Sequence, residues 1–352
     1  MIKKILIGIS IFLVLLVIGV VIFYQISLGK VSNDDTEIFF EIESGMSISN
    51  IVSTLKEENL IKNSFVTKVY IKLHDINNLQ AGVYVLKRNM NTKEILNKFV
   101  TGDCFKEEQL VTFIEGKRLV DYVKVIANNF PYSEDEILNV LSDKEYLQEL
   151  INKYWFITDE ILNDEIYYPL EGYLFPDTYM FNKNASIKEI IEVLINGLGN
   201  KLEPYKDKIM AGNMSVHEIL TLASIVELEG ASSEDRSGVA GVFYNRLKDN
   251  WHLGSDVTTY YAFGKNFDVE LTIDEYNTCN PYNTRSTCFT GLPVGPICSV
   301  SLDSLVSTIN PTESDYYYFV ADKNKKTYYA KDYNEFNNII NELKSNGLWY
   351  TY

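Results

Sequence analysis

Residues 215–230 read S-V-H-E-I-L-T-L-A-S-I-V-E-L-E-G, and the rest of the chain organises around them. Ser215 and Glu218 have capping-box spacing, in which the hydroxyl accepts from the amide three residues on and the carboxylate reaches back. A helix is therefore predicted from Val216 into Glu227. At about 100° per residue, Val216, Ile219, Leu220, Ala223 and Val226 share one stripe. Glu227 falls within that stripe, and Glu218 and Glu229 fall on the other side. A carboxyl held against apolar neighbours has its charged form disfavoured, so it keeps its proton toward neutral pH and can act as a general acid. Two plainer readings stay open: Glu227 escapes to solvent at the helix end, or it pairs with Arg236 or Arg246.

Outward from this helix, periodicity predicts further helices near 187–198, 233–249 and 333–345, and a hairpin of strands at 316–321 and 326–330. Between Trp251 and Pro296 the chain is rich in Gly, Thr, Asn, Tyr and Pro, and a stretch so long without periodicity is usually functional. Upstream, Leu110–Ile114 reads as a strand leading into a helical region that ends near Asn163. Pro169–Tyr179 reads as an ordered loop packed on something. Closer to the N-terminus, Glu37–Glu43 and Ala81–Leu86 alternate like strands. Ser47, Ser64 and Thr92 mark three helix starts, the last helix ending near Gly102. The expected fold class is α+β, divided into residues 1–30, a small α+β module at 36–105 and a larger mixed α+β domain at 106–352 with a long loop-rich cleft.

Ile5–Tyr24 carries no charge, and Ser10 is its one clearly polar residue, which suits a helix crossing the hydrocarbon core. With Lys3 and Lys4 before it and Asp34, Asp35 and Glu37 after it, the basic end is expected in the cytoplasm and the remainder outside. A cleaved secretory signal is the rival reading, disfavoured by the length of the run and by the lack of a small-residue cleavage site. Of the four cysteines, Cys279 and Cys288 are the favoured pair in an oxidising compartment. His74, His217 and His252 are scattered without metal-ligand spacing, so neither metal nor cofactor is expected. A hydrophobic share of 46% argues against long disordered tracts, and a net charge of −16 argues against a nucleic-acid partner.

Eight strings then fall in one order: A-G-V-Y (81–84), V-T-F-I-E-G (111–116), L-E-G-Y-L-F-P-D-T-Y (170–179), S-I-V-E-L-E-G (224–230), A-G-V-F-Y-N-R-L (240–247), L-G-S-D-V-T (253–258), P-Y-N-T (281–284) and G-L-P-V-G-P-I (291–297). Together they resemble the endolytic murein transglycosylases, the YceG/MltG-like family. The resemblance implies a single-pass cell-membrane protein with a LysM-like module at 36–105, followed by a catalytic domain that acts on peptidoglycan glycan strands. Its essential acid would match Glu227, and Glu171, Ser255, Asp256, Thr258, Tyr282 and Asn283 would line the glycan cleft. Cell-wall synthesis proteins are implied as partners, and the lipid bilayer would be contacted through residues 5–24. The chain departs from the family pattern at Val294, at Cys298–Ser301, at Leu228 and at Phe336, which stands where a histidine is frequent.

The implied reaction cuts the β-1,4 bond between N-acetylmuramic acid and N-acetylglucosamine and leaves a 1,6-anhydro end, terminating or trimming nascent strands. One carboxylate suffices there because the sugar's own 6-hydroxyl is the final nucleophile, whereas hydrolysis normally needs two carboxylates. A hydrolase using Asp256 as the second carboxylate, and a non-catalytic wall-binding protein, remain alternatives. Tyr173, Phe175, Tyr179, Tyr260 and Tyr261 are candidate sugar-stacking rings, although large aromatics more often fill cores.

Overall fold

The computed structural model describes residues 2–105, 107–230 and 232–349, with side chains from residue 7 onward. Lys3 and Lys4, on which the expected membrane orientation rests, fall outside the described side chains. The chain divides into two compact units, 1–107 and 108–352.

In the first unit, α1 (Ile2–Leu28) includes a run, Ile7–Leu28, long and apolar enough to cross a membrane. Strand β1 (Ile38–Ile42) pairs antiparallel with β2 (Gly82–Leu86), setting Phe40 opposite Tyr84. Helices α2 (Ile48–Glu57), α3 (Ser64–Leu73) and α4 (Thr92–Thr101) cover this ribbon around Ile51, Leu55, Ile95 and Phe99. Ser47 caps α2 as predicted, but α3 and α4 are capped by Asn63 and Asn91. Ser64 and Thr92 already have helical backbone, and a cap must be extended for its side chain to reach the first free amides.

The second unit opens with β3 (Glu108–Thr112), followed by α5 (Leu119–Asn129), α6 (Glu134–Leu141) and α7 (Lys144–Lys153). Strand β4 (Thr178–Asn182) pairs antiparallel with β3, inside and just beyond a stretch that reads as loop in the sequence. Helices α8 (Ile187–Leu202) and α9 (Lys206–Ala211) precede α10 (Val216–Glu229) and α11 (Arg236–Lys248). The long Trp251–Pro296 stretch contains only α12 (Asp256–Ala262) and α13 (Ile273–Asn277) as helices. After it come α14 (Leu302–Ile309), β5 (Tyr318–Ala321), β6 (Thr327–Ala330) and α15 (Tyr333–Ser345). The hairpin of β5 and β6 is antiparallel, with Phe319 opposite Tyr329.

Helix α10 is the centre of this unit. The sequence stripe assigns it one buried face, yet it is buried on nearly all sides from Val216 to Glu227. Ile219, Leu220 and Ala223 join the core built with α5, α7 and α8, while Leu222, Ile225 and Val226 join a second core with α11, Leu253 and Tyr282. Its polar residues are satisfied locally: Thr221 Oγ1 donates to the His217 carbonyl and Ser224 Oγ to that of Thr221. A helix wedged between two cores has no polar side to contrast with an apolar stripe, so stripe position alone cannot say which carboxylate is set apart.

Candidate active site

Glu227 and Glu229 leave the last turn of α10 two residues apart, about 200° around the axis at 100° per residue. Glu227 points into protein. Its Oε1 accepts from Arg236 Nη2 at 3.1 Å, and its Oε2 accepts from the Ser301 backbone N–H at 2.9 Å and from Ser301 Oγ at 2.6 Å. Arg236 also donates through Nη1 to Ser301 Oγ at 2.9 Å, and the same hydroxyl caps α14 by accepting from the Ser304 N–H. Glu227 therefore ties the end of α10 to the starts of α11 and α14, with only 5% of its side chain exposed. Gly230 permits the approach, since a Cβ there would lie 2.9 Å from both Arg236 Cγ and the Val226 carbonyl oxygen. Of the plainer readings, pairing with Arg236 describes this contact; Arg246 takes no part in it.

Glu229 points into a cavity of about 600 Å³ lined also by Arg246, Ser255, Asp256, Thr284 and Arg285, and Glu227 is not among the lining residues. Ser255 Oγ donates to Glu229 Oε1 at 2.6 Å. Burial pushes the Glu229 carboxyl above its ordinary range; the Ser255 hydrogen bond opposes this, the Asp256 charge adds to it, and the Arg246 and Arg285 charges oppose it. A carboxyl that is desolvated yet open to a cavity is the arrangement a proton donor needs.

Two loops build the wall beside Glu229. Gly254 N–H donates to the Thr284 carbonyl at 3.1 Å, Ser255 N–H to Thr284 Oγ1 at 3.1 Å, and Thr258 Oγ1 to the Ser255 carbonyl at 2.7 Å. Asn283 is fully buried: its Oδ1 accepts from Thr259 Oγ1 at 2.7 Å, and its Nδ2 donates to the carbonyls of Glu275 and Thr278. The Cys279–Cys288 disulfide closes this second loop, the pair favoured by the sequence. Asp256 is paired with Arg285 Nε at 2.6 Å.

Of the six residues expected to line a glycan cleft, Ser255 and Asp256 face the cavity. The other four are buried and do not line it. Thr258 and Asn283 brace the two loops, and Tyr282 packs against Tyr167 and Tyr261 at 4.7 Å from each ring. Glu171 is buried, accepting from the Leu119 N–H at 2.9 and 3.1 Å and from Tyr261 Oη at 3.1 Å. Burial pushes its carboxyl up to about 7, against those two hydrogen bonds and the nearby Arg118 charge. Their hydrogen bonds serve the fold, because peptide groups buried behind a loop must be satisfied by side chains if the loop is to hold one shape.

Tyr173, Phe175 and Tyr261 are core residues, and neither Tyr179 nor Tyr260 lines the cavity. Sequence reasoning does not single out Glu229, Arg285 or Thr284 as lining residues: Glu229 for its place off the stripe, Thr284 because it closes the P-Y-N-T string whose Tyr282 and Asn283 are favoured instead, and Arg285 because it lies just beyond that string. A larger cavity, about 720 Å³, lies toward the start of α10, lined by Glu160, His217, Glu218 and residues 291–294. Both ring nitrogens of His217 are already bonded there, Nδ1 to Tyr173 Oη and Nε2 to the Val294 carbonyl, each at 2.9 Å.

A family model described as YceG-like matches residues 40–342. The chain belongs to the YceG-like family. It is 35% identical to an endolytic murein transglycosylase of Bacillus subtilis (strain 168), over 92% of this chain and 89% of the relative. A protein of the same name from Streptococcus pneumoniae (strain D39) is 32% identical over 94% of this chain, which spans 63% of that longer relative. Among solved structures, a YceG-like protein of Listeria monocytogenes superposes with a TM-score of 0.61 at 33% identity, covering 87% of this chain and 99% of its own. The YceG-like family match takes in the cavity, both carboxylates and most of the first unit.

Proposed function

We propose that this YceG-like protein is an endolytic lytic transglycosylase that cuts murein strands with Glu229 as its acid, anchored to the cell membrane by α1. The enzyme class follows from the family and the names of its relatives. The observation that carries the site is the position of Glu229, lining the cavity, its carboxyl raised by burial and held by Ser255 at 2.6 Å. Glu227, favoured by the sequence stripe, is assigned here to holding three helices together.

In this reading, protonated Glu229 gives its proton to the oxygen between N-acetylmuramic acid and N-acetylglucosamine as that bond breaks. The glucosamine chain leaves as the alcohol. The resulting carboxylate then takes the proton from the muramyl 6-hydroxyl as that oxygen bonds to C1, which regenerates the acid and leaves a 1,6-anhydro end without consuming water. Ser255 holds the carboxyl in one orientation through both transfers, which is positioning work. A hydrolase would need Asp256 as a free base, and the 2.6 Å contact with Arg285 commits that carboxylate to an ion pair. On the membrane the enzyme would act on nascent strands, with wall-synthesis proteins as neighbours.

Mass spectrometry of purified sacculi after incubation with the protein tests the reading. Anhydro-muramyl ends from wild type, absent with Glu229→Gln, are expected. Reducing muramic acid ends would replace the transglycosylase with a hydrolase, and full activity of Glu229→Gln would remove the acid.

A further inference from the structure

The cavity at Glu229 is lined by two sets of side chains of opposite character. Glu229, Ser255, Asp256 and Arg285 are polar and come from α10, α12 and the disulfide-closed loop. Trp251, Tyr318, Tyr333 and Phe336 are aromatic and come from the turn after α11, from β5 and from α15. The four rings form one cluster: Tyr318 stacks on Phe336 at 5.2 Å, meets Trp251 edge-on at 5.6 Å and lies 6.2 Å from Tyr333.

Rings assembled only to fill a core would be hidden. Trp251 is 38% exposed and Tyr333 61%, so part of the cluster faces solvent. Nor are the rings loose. The Arg246 guanidinium lies over Trp251 at 5.8 Å and over Tyr318 at 5.7 Å, and is itself fixed by donating to the Tyr317 carbonyl at 2.8 Å and to the Leu253 carbonyl. A fixed aromatic surface beside hydrogen-bonding groups matches a pyranose ring, which has an apolar face of C–H groups and a polar rim of hydroxyls.

We propose that Trp251, Tyr318, Tyr333 and Phe336 form a stacking subsite for a sugar ring of the strand, adjacent to the ring whose bond Glu229 breaks. The inference rests on the transglycosylase reading for the identity of the strand, and on the cavity geometry alone for the stacking surface. Stacking on a neighbouring ring would hold the strand in the cavity before and during cleavage alike, so its main effect falls on KM.

The test uses the full chain in detergent micelles carrying Glu229→Gln, titrated with the β-1,4-linked tetramer of N-acetylglucosamine and read by tryptophan fluorescence. Trp251 is one of three tryptophans, and a saturable change in emission is expected. Adding Tyr333→Ala should weaken binding roughly three- to tenfold, the range for one lost aromatic contact, while Tyr333→Phe restores it. Tyr333 is exposed in the first turn of α15, so the melting temperature should stay constant across the series. In the active background, Tyr333→Ala should raise KM for glycan strands more than it lowers kcat. Unchanged affinity of Tyr333→Ala, or no saturable binding in the parent, overturns the subsite even if wild type cleaves sacculi. Weakened binding together with a wild type that leaves sacculi intact overturns the transglycosylase reading and keeps the subsite.

Discussion

Glu227 and Glu229 share a helix turn and a residue type, the first buried and the second half-buried, yet their surroundings differ in kind. Around Glu227, one guanidinium and both polar groups of Ser301 bond to the two carboxylate oxygens, and the side chain does not line the cavity. Around Glu229, one hydroxyl supplies a single hydrogen bond, and the remaining directions open into a cavity. Burial alone does not make an acid. A carboxyl becomes one when burial is left partly uncompensated and a substrate can reach it.

The largest effect should come from exchanging the two. Glu229→Gln should lower turnover of sacculi by a factor of ~10² to 10⁴, the usual worth of a general acid, with the melting temperature unchanged. Activity surviving this change would dissolve the comparison. Glu227→Gln should behave the other way: loss of the charge facing Arg236 should cost about 3 kcal/mol of stability, seen as an earlier urea midpoint, while activity per folded molecule persists. An inactive but equally stable Glu227→Gln protein would reverse the two roles.

Glu171 sharpens the contrast through pH, since it is buried like Glu227 but has no cation bonded to it. Its carboxyl rises from the ordinary 4.5 to about 7, so the unfolded chain releases this proton at lower pH than the folded one. The stability it contributes is complete below about 4.5 and is lost as pH rises through about 7. Chemical denaturation of wild type against Glu171→Gln should diverge across that window by up to about 3 kcal/mol, wild type weakening relative to the variant as pH rises. Parallel curves would mean that the carboxyl stays charged when buried.

The smallest effect is expected at Ser255. Its hydroxyl favours the charged form of Glu229, so Ser255→Ala should raise the acid's pKa further and move the alkaline limb of the pH–rate profile to higher pH. Displacement to lower pH, or none, would mean that Glu229 does not set that limb.

Elements governed by local rules are legible in the sequence. Ser215 and Glu218 form their capping box, α15 spans Tyr333–Ser345 as the periodicity predicts, and the 316–330 hairpin forms with slightly shorter strands. Strand β4 escapes a sequence reading because its identity as a strand depends on β3, about 70 residues earlier in the chain, and Thr178–Asn182 has no strong alternation of its own.

The sequence by itself determined the family, the apolar N-terminal helix, the central capped helix and the region that holds the site, because caps, periodicity and motif order are written in neighbouring residues. Only the tertiary structure decided which glutamate faces a cavity. That choice depends on Arg236 and Ser301 arriving at one side of α10, and on Ser255, Arg285 and the α15 rings arriving at the other. Helical periodicity fixes the angle between two side chains, but the partners waiting at each angle come from segments distant in sequence, and those partners set whether a buried carboxyl is tied into the fold or left to exchange a proton.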